Sequence, residues 1–214
     1  MQDHFRAFFV RWGRPYGLRV DNGGPWGSSH DLPPQLSLWL LGLDLEVVWI
    51  PPCRPQANGV VERSQGTGKR WAEPGQCASP AELQARLDEA DRHQRQDYPY
   101  EGSRSRWQVY PALAFSGRPY SRAWEEEHWD WSLVQHHLAD YELARCINAS
   151  GRLSLYDRLH YVGRRYAGQE VFVSYDPDTG EWVIQDKHGV YLARVAARWL
   201  TAERVRHLTV TKDP

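Results

Sequence analysis

The chain has 214 residues, with 26 Lys plus Arg against 27 Asp plus Glu and a formal net charge of -1; 41% of its residues are hydrophobic and 25% charged. That is globular composition, which excludes wholesale disorder, and three cysteines are too few and odd in number for a disulfide framework. Met1–Trp12 carries Asp3, His4, Arg6 and Arg11 and is not a signal peptide, and the longest apolar run, Leu36–Ile50, is broken by Asp44 and Glu46, so a cytoplasmic chain with no membrane partner is expected.

Phe5, Phe8, Phe9 and Trp12 fall at i, i+3, i+4 and i+7 and predict one apolar helical face, stopped by Gly13 and Pro15. Leu18–Val20 reads as a short strand running into the polar turn Asp21-Asn22-Gly23-Gly24. Ser28 and Ser29 can cap a second helix reaching Leu41 or Gly42. Leu45–Ile50 predicts another strand, and Pro51, Pro52 and Pro55 force a loop. A helix is expected from Gln56 or Asn58 to about Trp71, so the first 71 residues read as α/β.

Ser79-Pro80-Ala81-Glu82 is a helix start, with Pro in the first turn and Glu three residues after Ser, and the helix should run to about Gln96. The Tyr-, Pro- and Arg-rich residues 97–123 read as an extended connector, and 124–141 as holding one short helix. Short strands follow at Leu143–Asn148, Leu153–Tyr156, Glu170–Tyr175, Trp182–Asp186 and Val190–Arg194, a pattern for a small all-β barrel or sandwich. The expected organisation is residues 1–96, a connector over 97–140, and a β domain over 141–214.

The charge is unevenly spread. Residues 1–71 carry a net +2, residues 72–139 a net -4 and residues 140–214 a net +1, and only Lys69, Lys187 and Lys212 are lysines. Arginine suits phosphate contacts through its two-pronged fork; a coding bias toward Arg explains the same excess. In the β domain Arg152, Arg158, Arg164, Arg165, Arg194 and Arg198 are candidate phosphate contacts or solvated side chains. His136 and His137 diverge on a helix and read as surface residues rather than a metal pair.

Two carboxylates carry the candidate chemistry. Asp21 stands at the carboxyl end of a strand, where ligands gather in α/β sheets, and Glu62 in the first turns of a helix. Oxygen donors of this kind suit Mg²⁺, and paired ions clamp the two oxygens of an in-line phosphoryl transfer. Taken singly, Asp21 also reads as a turn residue before glycine and Glu62 as a solvated helix residue. Asn58 lies one turn before Glu62, on its face.

Residues 18–71 resemble the second half of the catalytic core of DDE transposases and retroviral-type integrases. The resemblance rests on Val20-Asp21-Asn22-Gly23, on Ile50-Pro51-Pro52, and on Arg54-Pro55-Gln56-Ala57-Asn58-Gly59-Val60-Val61-Glu62-Arg63. It implies a truncated ribonuclease-H-like core over 1–96, followed by a small Src-homology-3-like β-barrel over 141–214. It also implies that Asp21 and Glu62 are the second and third catalytic acids and ligands of Mg²⁺ or Mn²⁺, with Gln56, Asn58, Arg63 and Lys69 as DNA contacts. The matching first acid would lie upstream of Asp21, and Asp3, at a helix start, does not fill that place. The implied function is therefore that of a transposase or integrase fragment acting in DNA integration by metal-dependent phosphoryl transfer. It is expected to be inactive alone, to hold the metal poorly, and to leave a sheet edge open for another chain. DNA and a full-length transposase or a second copy are the implied partners. The alternative is a non-catalytic DNA-binding or regulatory protein derived from a transposase.

Overall fold

The computed structural model describes residues 1–23, 26, 31–51, 56 and 59–208. The first helix, α1 (Gln2–Trp12), begins earlier than the aromatic spacing alone indicates. Phe9 is buried and touches Phe5, but Phe8 is exposed. The inward stripe is therefore Phe5–Phe9–Trp12, and Phe8, a third of a turn away, falls outside it. Asp3 is a surface residue that accepts from Arg6 at 2.9 Å.

Strand β1 (Gly17–Val20) is followed by α2 (Gln35–Gly42) and β2 (Glu46–Trp49). The helix expected from Ser28 or Ser29 instead starts at Gln35, with Pro34 at its cap. Pro33 and Pro34 bar the residues before them from helical backbone; Ser28 and Ser29 themselves lie outside the described residues. Next come α3 (Gly59–Ala72) and α4 (Pro80–Gln96). The α4 start is a capping box: the Ser79 hydroxyl accepts from the Glu82 N–H, and the Glu82 carboxylate accepts from Ala78 N–H at 2.8 Å.

The segment expected to be an extended connector is structured. It holds an antiparallel pair, β3 (Pro99–Glu101) and β4 (Arg104–Ser105), then α5 (Arg106–Val109) and a 3-10 turn over Pro111–Leu113. Ser105 and Gln108 form a second capping box, a signal hidden inside the Tyr/Arg-rich stretch. Two helices, not one, follow: α6 (Arg122–His128) and α7 (Trp131–Ala139), the latter capped by the Asp130 carboxylate.

The C-terminal strands are β5 (Glu142–Cys146), β6 (Arg152–Leu155), β7 (Arg158–Tyr161), β8 (Glu170–Asp176), β9 (Glu181–Asp186) and β10 (Tyr191–Ala196), ending in α8 (Ala202–Arg206). Neither β7 nor α8 was expected. Tyr156 and Asp157 both have φ near +50 to +60° and join β6 to β7 as a two-residue hairpin turn of the primed kind, without the Asn-Gly pair that usually marks one. Antiparallel pairing runs β10-β9-β8-β5 in one four-stranded sheet, and β6-β7 form a second, separate sheet. The described strands do not close into a barrel.

The chain divides into two units. Unit 1 is Met1, Asp3–Pro15 and Trp49–Arg122; unit 2 is Gln2, Tyr16–Val48 and Ala123–Pro214. Unit 2 holds most of the buried apolar side chains. Val171, Val173 and Tyr175 of β8 alternate inward beside Trp182 and Ile184 of β9 and Leu143 of β5, as the two-residue period of a strand requires. Six of the eight residues of α2 are buried, against α7 and α8. In unit 1 the described buried apolar side chains are Phe9, Ile50, Ala72, Ala90 and Tyr120. No helix among the described residues is long and apolar enough to cross a membrane.

Candidate active site

The β1 strand leads Asp21 to its position. Val20 is buried and anchors the strand end, while Asp21, next in line, is exposed. One Asp21 carboxylate oxygen accepts the Gly23 N–H at 3.1 Å, and the Gly23 carbonyl accepts from Trp26 N–H at 2.9 Å. This side-chain turn holds one oxygen against the backbone and leaves the other to solvent. The two strands start side by side. Glu46 N–H donates to the Tyr16 carbonyl at 2.9 Å, and a Cβ on Gly17 would meet the Glu46 carbonyl at 3.1 Å. Start against start, with α2 as the crossover, is the parallel sense.

Glu62 occupies the first turn of α3 and is exposed. The helix turns Ser64, Gly68 and Trp71 toward α4; the Ser64 hydroxyl bonds the Gln94 side chain at 3.4 Å and Trp71 lies 5.1 Å from the His93 ring. Glu62, Gly66 and Lys69 line the opposite side, at i, i+4 and i+7. Glu62, Gly66 and Lys69 are all exposed, so this row faces solvent. Lys69 lies about 10 Å along the axis from Glu62, in the last turn, where a cation is favoured by the helix dipole.

Arg63 lies on a third side with Thr67 and Arg70. The Thr67 hydroxyl donates to the Arg63 carbonyl at 3.0 Å and accepts from Arg70 at 3.5 Å, while the Arg63 guanidinium is exposed. Gln56 is exposed; Asn58 lies outside the described residues. Glu62, Arg63 and Lys69 thus share α3 in unit 1, whereas Asp21 belongs to unit 2.

The donors fit a hard divalent cation in kind, since both are carboxylates with an oxygen directed to solvent, and Mg²⁺ binds through one or two carboxylates plus phosphate and water. No group of three His, Cys, Asp or Glu side chains is arranged as a metal site among the described residues.

Elsewhere, Arg194 is committed to its own sheet, 2.6 Å from the Asp176 carboxylate and 2.9 Å from the Thr179 hydroxyl. That pair holds Asp176 below the usual carboxylate range and raises the arginine further. Arg158 and Arg165 lie over the rings of Trp199 and Tyr166. His136 is exposed, while His137 is half-buried beside Tyr141, so adjacent positions do diverge. Sequence reasoning passed over an outward-facing aromatic group in unit 1: Trp71, Tyr98, Tyr100 and Tyr110. Its signal was the Tyr and Arg content of 98–110, read there as connector composition. No family model matches the chain.

Proposed function

We propose that these residues form part of a DDE-type transposase or integrase, with a ribonuclease-H-like catalytic segment and a C-terminal Src-homology-3-like module. The observation that carries the reading is the order of the elements around the two acids. Asp21 follows β1, α2 crosses to β2, which starts beside β1, and Glu62 stands in the first turn of the next helix, α3. The separate small sheets of unit 2, rich in short antiparallel strands, support the second part.

In this reading Asp21 and Glu62 hold Mg²⁺ or Mn²⁺, and the bound ion supplies activation of an attacking oxygen and neutralisation of charge on a DNA phosphate. The Asp21 turn orients its carboxylate through the Gly23 N–H. Lys69, on the Glu62 side of α3, takes a phosphate in this reading, and the resemblance assigns Gln56, Asn58 and Arg63 to the DNA strand beside it.

The test is Mn²⁺ titration by calorimetry, beside a plasmid-nicking assay with Mg²⁺ or Mn²⁺. Asp21→Asn and Glu62→Gln should each weaken Mn²⁺ binding by about tenfold or more, ~1.4 kcal/mol. Nicking by the 214 residues alone should stay near background. Unchanged Mn²⁺ affinity in both variants, or robust nicking that survives them, defeats the proposal.

A second reading, a non-catalytic nucleic-acid-binding protein, is favoured by one observation. Unit 1 carries fourteen Lys and Arg against nine Asp and Glu, while unit 2 carries twelve against eighteen. Metal-independent, steeply salt-dependent duplex binding would distinguish it.

A further inference from the structure

Unit 1 turns large aromatic side chains to solvent. Trp71, Tyr98, Tyr100 and Tyr110 are between 38% and 51% exposed. They form two ring pairs, Trp71–Tyr98 with centroids 5.8 Å apart and Tyr100–Tyr110 at 5.7 Å. Tyr98 and Tyr100 are separated by one residue, so the two pairs are neighbours along a single short stretch of chain. The Arg106 guanidinium lies 5.0 Å from the Tyr100 ring centre while one of its nitrogens donates to the Gln94 carbonyl, and the residue is partly exposed. Arg70 directly precedes Trp71, in the last turn of α3. Beside Trp71 and His93 a cleft of roughly 770 Å³ opens between α3 and α4. In its lining Arg86 pairs with Glu82 at 2.9 Å and with Glu73 at 3.6 Å, Glu89 pairs with Arg92 at 2.7 Å, and Arg70 lines the cleft beside Trp71. The cleft therefore offers room and ring surface, with the Arg70 cation in its lining.

Exposed rings interleaved with arginine, on a unit with a net charge of +5, call for a polyanion that carries flat apolar groups of its own. Bases stack on aromatic side chains with little regard for sequence, and each such contact contributes about 1–3 kcal/mol. A duplex keeps its bases stacked on one another and would meet only the cations.

We propose that this surface of unit 1 binds single-stranded nucleic acid, stacking bases on Trp71, Tyr98, Tyr100 and Tyr110 and holding phosphates with Arg70 and Arg106. The site is separate from the Glu62–Lys69 side of α3 and does not rest on the transferase reading. Its salt dependence should be shallow, because few phosphates are held and stacking is not screened.

The experiment is fluorescence anisotropy of the full chain with a labelled oligothymidylate and with a duplex of equal length. The single strand should bind more tightly than the duplex. Replacing both tyrosines (Tyr100→Leu with Tyr110→Leu) should cost about tenfold or more in single-strand affinity, and the corresponding Phe pair should keep it. Arg70→Gln, which touches no core residue, should lower affinity and reduce the salt slope by about 0.7. Circular dichroism establishes that the Leu pair folds; if it does not, Arg70→Gln decides alone. Equal or tighter duplex binding, or unchanged affinity in the folded Leu pair or in Arg70→Gln, overturns the proposal. A dimer in sedimentation that the Leu pair dissolves also overturns it and assigns the surface to a second copy.

Discussion

Gly42 closes α2 where the Trp129 indole occupies the space a Cβ would need, and the same indole donates to the Trp39 carbonyl at 3.0 Å. Trp39 in turn donates to Glu125 at 3.0 Å, a carboxylate that is 1% exposed. Two indoles and a carboxylate thus lock α2 to the segment before α7. Gly42→Ala must push the Trp129 ring aside and should cost about 1–3 kcal/mol in denaturant unfolding. Ser37, five residues earlier on the same helix, is a contrast. It is fully buried, and its hydroxyl has no partner among the described residues. Ser37→Ala should be neutral or stabilising by about 1 kcal/mol, because it removes an unsatisfied polar group from the core. A loss of more than that in Ser37→Ala would mean the hydroxyl is satisfied. Neither residue announced its role in the sequence: a glycine near a helix end reads as a cap, and one serine in an apolar run has no spacing to mark it. The turn at Asp21 and the place of Glu62 in the first turn of a helix were legible because both are local properties. Whether they serve one ion is a long-range property that local patterns do not carry.

Elements were legible in proportion to how local their signals are. The capping box placed α4 at Ser79, and the turn residues between two short apolar runs placed β8 and β9. The helix before Gly42 was misplaced because hydroxyl caps were weighed above the prolines at 33 and 34. The strand β7 was missed because Tyr156-Asp157 adopts a turn conformation that its residue types do not favour. Two of these elements carry a pH response. Burial lowers the pKa of His137 on α7, against a smaller opposing effect of Asp140; burial also lowers that of His160 on β7, against a hydrogen bond with the Leu155 backbone. A histidine with a lowered folded pKa is protonated first in the unfolded chain, so unfolding takes up protons as the pH falls through about 6.5. Stability is full above that value and declines below it, down to the folded pKa values. The melting temperature should drop by a few degrees between about pH 7.5 and pH 5.5, and His137→Gln with His160→Gln should flatten the decline. The carboxylates held low, Asp176, Asp186 and Glu82, release their contribution only near pH 4 and below. An undiminished decline in the double variant would count against this assignment.

At the scale of the molecule, the mixed α/β class was legible. Residues 16–48 join the C-terminal sheets in unit 2, and chain order gives no hint of that, because burial partners are chosen by shape and apolar area. The small described core of unit 1 has a measurable result. With few buried apolar contacts, amides of α3 and of the β3–β4 pair should exchange hydrogen through local opening, well before those of β8 and β9, which should approach the global limit. Equal protection in both sets would count against this ordering.

The Tyr156 hydroxyl donates to the Pro33 carbonyl at 2.9 Å, across 123 positions of chain. A peg of this reach sets an order of events during synthesis. The β1–α2–β2 stretch leaves the ribosome while its partners Glu125, Trp129, α7 and α8 are still untranslated. At about 5–20 residues per second, that early stretch waits several seconds with α2 bare, an interval in which a chaperone or a neighbouring nascent chain can reach it before α7 and α8 do.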